Sequence, residues 1–214
     1  MDTIFKNNEK EEPNKKELID GLQIVENIIS KEREKELVQE ILKHEWDTRL
    51  SRRTQHYGYI YNYKSRNLNV DSNENKAEPL PDWAISLCQD LIDIGYINEI
   101  PQQMIINEYK GQQGISAHVD SKVFGETIFS VSLNAPCNMI FKKKSTTTSR
   151  SKTSTATTTS KQEPPQVVSF QVKPRTLLIM RGESRNDWTH EIPKLKITSD
   201  TRYSCTFRYL KLQQ

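Results

Sequence analysis

The run Met104-Ile105-Ile106-Asn107-Glu108-Tyr109 opens the part of the chain that decides the fold. Before it, apolar residues recur at helical spacing. From it onward they fall into short runs of period two, rich in β-branched and aromatic side chains. Thr127–Leu133, Asn138–Lys142, Val167–Val172, Thr176–Arg181 and Arg202–Leu210 repeat the pattern. Many short strands after a few helices predict a mainly β domain with flanking helices (α+β), a β-sandwich or jelly roll.

Upstream, Gly21 to Ile29 reads as an entering strand, and Ser30 offers its hydroxyl as an N-cap to a helix with Leu37, Val38, Ile41 and Leu42 on one face. A second helix opens at Pro81 and Asp82, places Trp83, Leu87, Leu91 and Ile94 on one side, and ends near Gly95. Residues 1–17 are charged and hold nothing periodic to bury, so they read as a disordered tail before a domain spanning 18–214. Within that domain, residues 143–166 are dominated by Ser and Thr. With no large apolar side chain to offset ordering entropy, they read as a disordered insert.

The composition narrows the class. The chain has 214 residues, 34% hydrophobic and 28% charged, with a net charge of +3, which is enough for one catalytic-sized domain but too small a charge to identify a nucleic-acid partner by itself. Cys88, Cys137 and Cys205 are odd in number and far apart, against both a disulfide framework and a Cys-x-x-Cys zinc site. No apolar stretch is long enough for a signal peptide core or a membrane span. The expectation is a soluble protein of a reducing compartment, cytoplasm or nucleus, with no membrane partner.

Chemistry enters at Gly114-Ile115-Ser116-Ala117-His118-Val119-Asp120, where an imidazole and a carboxylate two residues apart share one side of an extended chain. A further histidine would complete two histidines and one carboxylate, the set that fills one face of octahedral iron(II) and leaves the other open. His44 lies on the first helix and His56 in a Tyr-rich hairpin. His190, in Trp188-Thr189-His190-Glu191-Ile192 just after a strand, is the best placed. A bare His-x-Asp more often means ordinary loop hydrogen bonding, so its companions matter. Arg202 and Arg208 share a face of the last strand about 20 Å apart, close enough for two guanidiniums to clamp the ends of a short diacid such as 2-oxoglutarate. Asn107 and Tyr109 share a face of theirs and offer an amide and a phenol to it. Solvated strand faces are the bland alternative for both pairs.

Asn107-x-Tyr109, His118-x-Asp120, a lone His190 and Arg202-x5-Arg208 stand in the order found in AlkB-type dioxygenases, and the chain from about Gly21 to Lys211 resembles that family. Within it, Arg52 to Tyr59, Gly95-Tyr96-Ile97, Gln103 to Asn107 and Gly182-Glu183-Ser184-Arg185 look like the eukaryotic members that hydroxylate a modified wobble uridine of transfer RNA. The resemblance implies a double-stranded β-helix and Fe(II), 2-oxoglutarate and O2 as cofactor and cosubstrates. His118, Asp120 and His190 would be the metal ligands, with Asn107, Tyr109, Arg202 and Arg208 on 2-oxoglutarate. It implies no catalytic side chain beyond the metal centre. One departure is Glu191, where the family commonly has Gly.

Arg49 to Arg66 carries Arg52, Arg53, Lys64 and Arg66 around Tyr57, Tyr59, Tyr61 and Tyr63, whose odd spacing gives a single strand one aromatic face. Such a face stacks on unpaired bases while its cations meet phosphates, although it serves equally well as core packing. Arg52, Arg53, Tyr57, Tyr59 and Lys122 are therefore the candidate substrate contacts. The expected partner is nucleic acid, RNA before DNA, with a protein partner supplying RNA binding or methyl transfer. Oxidative demethylation of alkylated bases is the alternative activity, and a non-catalytic nucleic-acid-binding module the alternative of another class.

Overall fold

The computed structural model describes residues 18–60, 76–145, 166–194 and 200–211. The expected tail, nearly all of the Thr/Ser-rich insert, and Tyr61, Tyr63, Lys64 and Arg66 lie outside the described residues. In chain order the elements are β1 (Leu22–Val25), α1 (Lys31–Leu42), β2 (Thr54–Tyr57), α2 (Asp82–Asp93), β3 (Gln103–Tyr109), β4 (Ile115–His118), β5 (Phe124–Leu133), β6 (Cys137–Lys143), β7 (Val167–Val172), β8 (Thr176–Met180), α3 (Gly182–Asn186), β9 (Trp188–Ile192) and β10 (Arg202–Leu210). The strands form two antiparallel sheets, β1-β8-β5-β10-β3-β2 and β4-β9-β6-β7. This is the expected jelly roll.

Most predicted elements stand within a few residues of their expected bounds. Thr176–Arg181 stops at Met180 because Arg181 becomes the N-cap of α3, a five-residue helix too short to give a periodic signal. His190 lies within a strand rather than just after one. Ser30 caps α1 as expected, its Oγ accepting from the Arg33 N–H at 3.0 Å. The apolar stripe of α1 is narrower than expected: Leu37 and Ile41 are fully buried, but Leu42 is 52% exposed, since a step of five residues from Leu37 rotates it off the packed face.

The six-stranded sheet divides two cores. On its outer face, Met104, Ile106, Cys205 and Phe207 pack under Leu37 and Ile41 of α1 and Leu87 and Leu91 of α2. On its inner face, Ile128, Leu178 and Met180 meet Met139, Phe141 and Trp188 of the smaller sheet. Cys88, Cys137 and Cys205 are free and buried, as expected for a chain without a disulfide framework. No helix among the described residues is long and apolar enough to cross a membrane.

The inner face is not uniformly apolar. Asn107, Ser132, Thr176, Arg202, Ser204 and Arg208 are all buried, and the register Ser204↔Asn107, Ser204↔Ser132 and Ser132↔Thr176 puts them on one side of the sheet. Buried polar groups are costly without partners, so this end of the jelly roll is where a site is expected.

The aromatic face read across Tyr57 and Tyr59 is not formed. β2 ends at Tyr57, and Gly58 follows with φ of 77°, its missing Cβ leaving room for the Gln102 carbonyl. The turn sends Tyr57 into the core under the helices, where its hydroxyl donates to Gln55 Oε1 at 3.1 Å, while Tyr59 packs half-buried against the inter-sheet core.

Candidate metal centre and cosubstrate pocket

Gly114 lets β4 close onto β9, because a Cβ there would lie 2.2 Å from the Ile192 carbonyl oxygen. Along this pair, Ile115 faces Ile192 and His118 faces His190, three residues on one strand against two on the other. The resulting irregularity re-aims β4 and sets the two imidazoles together with ring centroids 4.3 Å apart. Asp120 follows two residues beyond. One ligand atom each from His118, Asp120 and His190 lies within 4.8 Å of the others.

The donor set is oriented for a metal. The His118 ring is within 2.8 Å of the Ser116 carbonyl through Nδ1, which assigns the proton to that nitrogen and leaves Nε2 as the free donor. Arg208 grips one oxygen of Asp120 through Nε at 3.0 Å and Nη2 at 2.7 Å, while the other, Oδ2, stands 3.5 Å from His190 Nε2. Burial works against an ionised Asp120, but Arg208, the two histidines and Arg185 outweigh it and hold its carboxyl at about 2. His190 is pushed down to about 4, first by burial and then by its positive neighbours, against the pull of Asp120. It is therefore a neutral donor at physiological pH.

That depression gives the metal-free protein an acid weakness. The unfolded histidine takes up its proton near pH 6.5 and the folded one only near 4. Between those values the unfolded state binds more protons, and stability falls as the pH is lowered. The expected loss is about 3 kcal/mol across the window, and it should be absent from His190→Gln. Urea unfolding at pH 7, 5.5 and 4 checks this, and equal pH slopes in the two proteins would contradict it.

Around these residues lies a cavity of about 750 Å³, lined by Asn107, His118, Asp120 and Arg208, with Arg52, Lys122, Lys144 and Arg185. Arg202 and Tyr109 are buried and do not line it, and the Arg202 guanidinium lies over the Tyr109 ring at 5.3 Å. Arg202 Nε donates to Ser132 Oγ at 2.9 Å, whereas Nη1 is buried with no hydrogen-bond partner among the described residues. A buried guanidinium nitrogen with no acceptor fits a site built for an anion. Arg208, by contrast, is already held by Asp120 and by Gln103 Oε1 at 3.2 Å, so the two arginines do not present equivalent ends of a clamp.

The candidate substrate residues separate. Arg52 points inward, its Nε donating to Asn107 Oδ1 at 2.8 Å, so it touches a candidate cosubstrate residue rather than standing apart from it. Arg53 turns the other way and pairs with the buried Glu108 at 2.6 and 2.8 Å beneath Trp46. Lys122 is exposed at the cavity. Glu191 points away from the ligands and pairs with Lys142 at 2.8 Å, so it adds no carboxylate to the metal shell. Ser132 was not singled out in the sequence, and Gln103 and Arg185 stood there only inside motifs of the resemblance, with no role at the site. Gln103 shares the parity of Asn107 and could have been placed that way, while nothing local assigns a role to the other two.

Residues 21–208 match the 2OG-Fe(II) oxygenase superfamily. The Xenopus tropicalis tRNA (carboxymethyluridine(34)-5-O)-methyltransferase alkbh8 is 34% identical over 184 residues, covering 82% of this chain and 26% of its own length. An Arabidopsis thaliana alkylated DNA repair protein ALKBH8 homolog is 31% identical, covering 84% of this chain and 52% of that one. The chain thus spans a quarter to a half of these relatives. The solved structure of OsALKBH1 superimposes with a TM-score of 0.65 over 88% of this chain and 96% of that one at 13% identity, a likeness of fold. The chain accordingly belongs to the 2OG-Fe(II) oxygenase superfamily and is a 2-oxoglutarate-dependent dioxygenase of the AlkB family.

Proposed function

We propose that this dioxygenase hydroxylates a modified nucleobase of RNA, foremost the side chain of a wobble uridine in transfer RNA. His118, Asp120 and His190 would hold iron(II), and Asn107, Tyr109, Arg202 and Arg208 would hold 2-oxoglutarate. One observation carries the choice of substrate. The cavity lining holds five cationic side chains, Arg52, Lys122, Lys144, Arg185 and Arg208, against the single carboxylate of Asp120. Such a cavity attracts phosphates and anionic base substituents, tolerates neutral ones and repels the positively charged rings of many alkylation lesions. The relatives point to both kinds of nucleic acid, since one is named as a methyltransferase of carboxymethyluridine 34 in transfer RNA and another as an alkylated DNA repair protein. Oxidative demethylation is therefore kept as the second reading.

When bound, iron(II), 2-oxoglutarate and O2 supply the oxidation of a substrate C–H bond, with loss of succinate and CO2. The chain's own residues do the positioning. Arg208 keeps Asp120 ionised and turned by one oxygen, and Arg202 offers its unpaired nitrogen to a carboxylate. Arg52 joins the cavity wall to Asn107. The proposal extends to a protein partner that contributes RNA binding or methyl transfer, and to work inside the cell.

Nucleoside mass spectrometry of transfer RNA, incubated with the protein, iron(II) and 2-oxoglutarate, tests it. A modified uridine gaining one oxygen is the expected result, and methyl loss from a cationic adenine or cytosine would favour the second reading. Lys122→Glu with Lys144→Glu should weaken transfer-RNA binding and flatten its salt dependence by up to about two in slope, while substrate-independent 2-oxoglutarate turnover is spared. An unchanged slope would remove these lysines from the RNA interface.

A further inference from the structure

Arg185 is a buried cation with no described carboxylate in direct contact. It is 3% exposed and lines the cavity. Its two terminal nitrogens donate instead to two consecutive backbone carbonyls, Nη1 to Asp120 at 2.9 Å and Nη2 to Ser121 at 2.7 Å, while Nε has no partner. Holding a guanidinium in such a place is unfavourable by itself, and burial pushes its pKa down. The arrangement is informative because of what those carbonyls belong to.

Asp120 and Ser121 form the turn that leaves β4. Among the described residues no strand pairing fixes Asp120 past His118, and the Ser121 carbonyl otherwise accepts only from the Phe124 N–H at 3.2 Å. Arg185 stands at the end of α3, five residues before His190, so the same segment delivers one candidate ligand and the fork that holds the backbone of another. Side-chain rotation alone would let the Asp120 carboxylate turn toward Arg208, which already grips Oδ1. Fixing the peptide on the far side keeps Oδ2 directed at His190.

We propose that Arg185 is a positioning residue for the metal centre: its planar fork across the Asp120 and Ser121 carbonyls sets the orientation of the Asp120 carboxylate toward the metal. This rests on the reading of His118, Asp120 and His190 as the ligands. Arg185 also helps keep Asp120 ionised, as any cation there would, but the orientation is the work of its geometry. A lysine keeps the charge but offers one nitrogen where two carbonyls must be spanned, so it does not substitute for the fork.

The test measures Mn(II) binding to the metal-free protein by titration calorimetry, together with the visible spectrum of the Co(II) form, so that no turnover is needed. Arg185→Lys and Arg185→Gln should each weaken Mn(II) binding by about 10- to 100-fold, the range for partners that orient a ligand, and alter the Co(II) spectrum. Arg185→Met, which leaves no buried charge to solvate, guards against misfolding of the polar variants and should show the same loss. Wild-type Mn(II) affinity in folded Arg185→Lys would make charge the agent and overturn the proposal. Wild-type affinity in all three variants, or failure of all three to fold, would also overturn it, the last by making Arg185 a core residue. Asp120→Ala in parallel separates the two readings. If it too keeps Mn(II), the ligand set is at fault rather than the fork.

Discussion

Asp120→Ala is expected to abolish substrate-independent production of succinate from 2-oxoglutarate and to weaken Mn(II) binding by more than about 100-fold, beyond the loss that follows from disturbing an orienting partner alone. His118→Ala and His190→Ala should do the same, since each removes one of three donor atoms that stand within 4.8 Å of each other. Their effects on the fold should differ. Removing Asp120 leaves the buried Arg208 without its carboxylate, held by Gln103 and the Phe124 ring alone among the described residues, and should destabilise the metal-free protein by about 3 kcal/mol. Asp120→Asn retains an oxygen for Arg208 and should lose the metal with less damage to the fold. Removing His190 takes away a histidine kept neutral by burial and should flatten the acid sensitivity instead. Near-normal succinate production by any of these variants would strike that residue from the ligand set.

Arg202→Met carries the second large effect. Removing one partner of a buried charged contact costs about 2–5 kcal/mol, so the KM for 2-oxoglutarate should rise by roughly 30-fold to several thousandfold, with Mn(II) affinity unchanged. The signature is a split between binding and stability. In the protein without cosubstrate, Arg202 is a buried cation with an unpartnered Nη1, and replacing such a group by an apolar one of similar volume is neutral or stabilising. Thermal unfolding should therefore show an unchanged or raised midpoint for Arg202→Met, and a smaller upward shift on adding 2-oxoglutarate than in the wild type. A clear fall in the midpoint with an unchanged KM would make Arg202 a structural residue and remove it from the cosubstrate site.

The candidate site residues were legible in the sequence because their information is local. Alternation along a strand places Asn107 with Tyr109 and Arg202 with Arg208 whatever the rest of the chain does, and the change from helical to period-two spacing near Met104 marks where most of the strands begin, although β1 and β2 precede it. Local rules failed where a backbone leaves its regular path. The positive φ of Gly58 splits Tyr57 from Tyr59, and the face that alternation promised is lost.

What the sequence by itself determined is the fold class, the family resemblance and the identity of the candidate ligands. Tertiary structure alone decided how they meet. Regular pairing from Ile115↔Ile192 would have set residue 117 opposite His190, and only the irregular β4–β9 register brings His118 there. It also turned Arg208 onto Asp120, Arg53 onto Glu108, and the fork of Arg185 onto two carbonyls more than sixty residues away in the chain. The physical reason is that side-chain parity is a property of one strand, whereas register, bulges and the pairing of buried charges are settled by packing between segments distant in sequence.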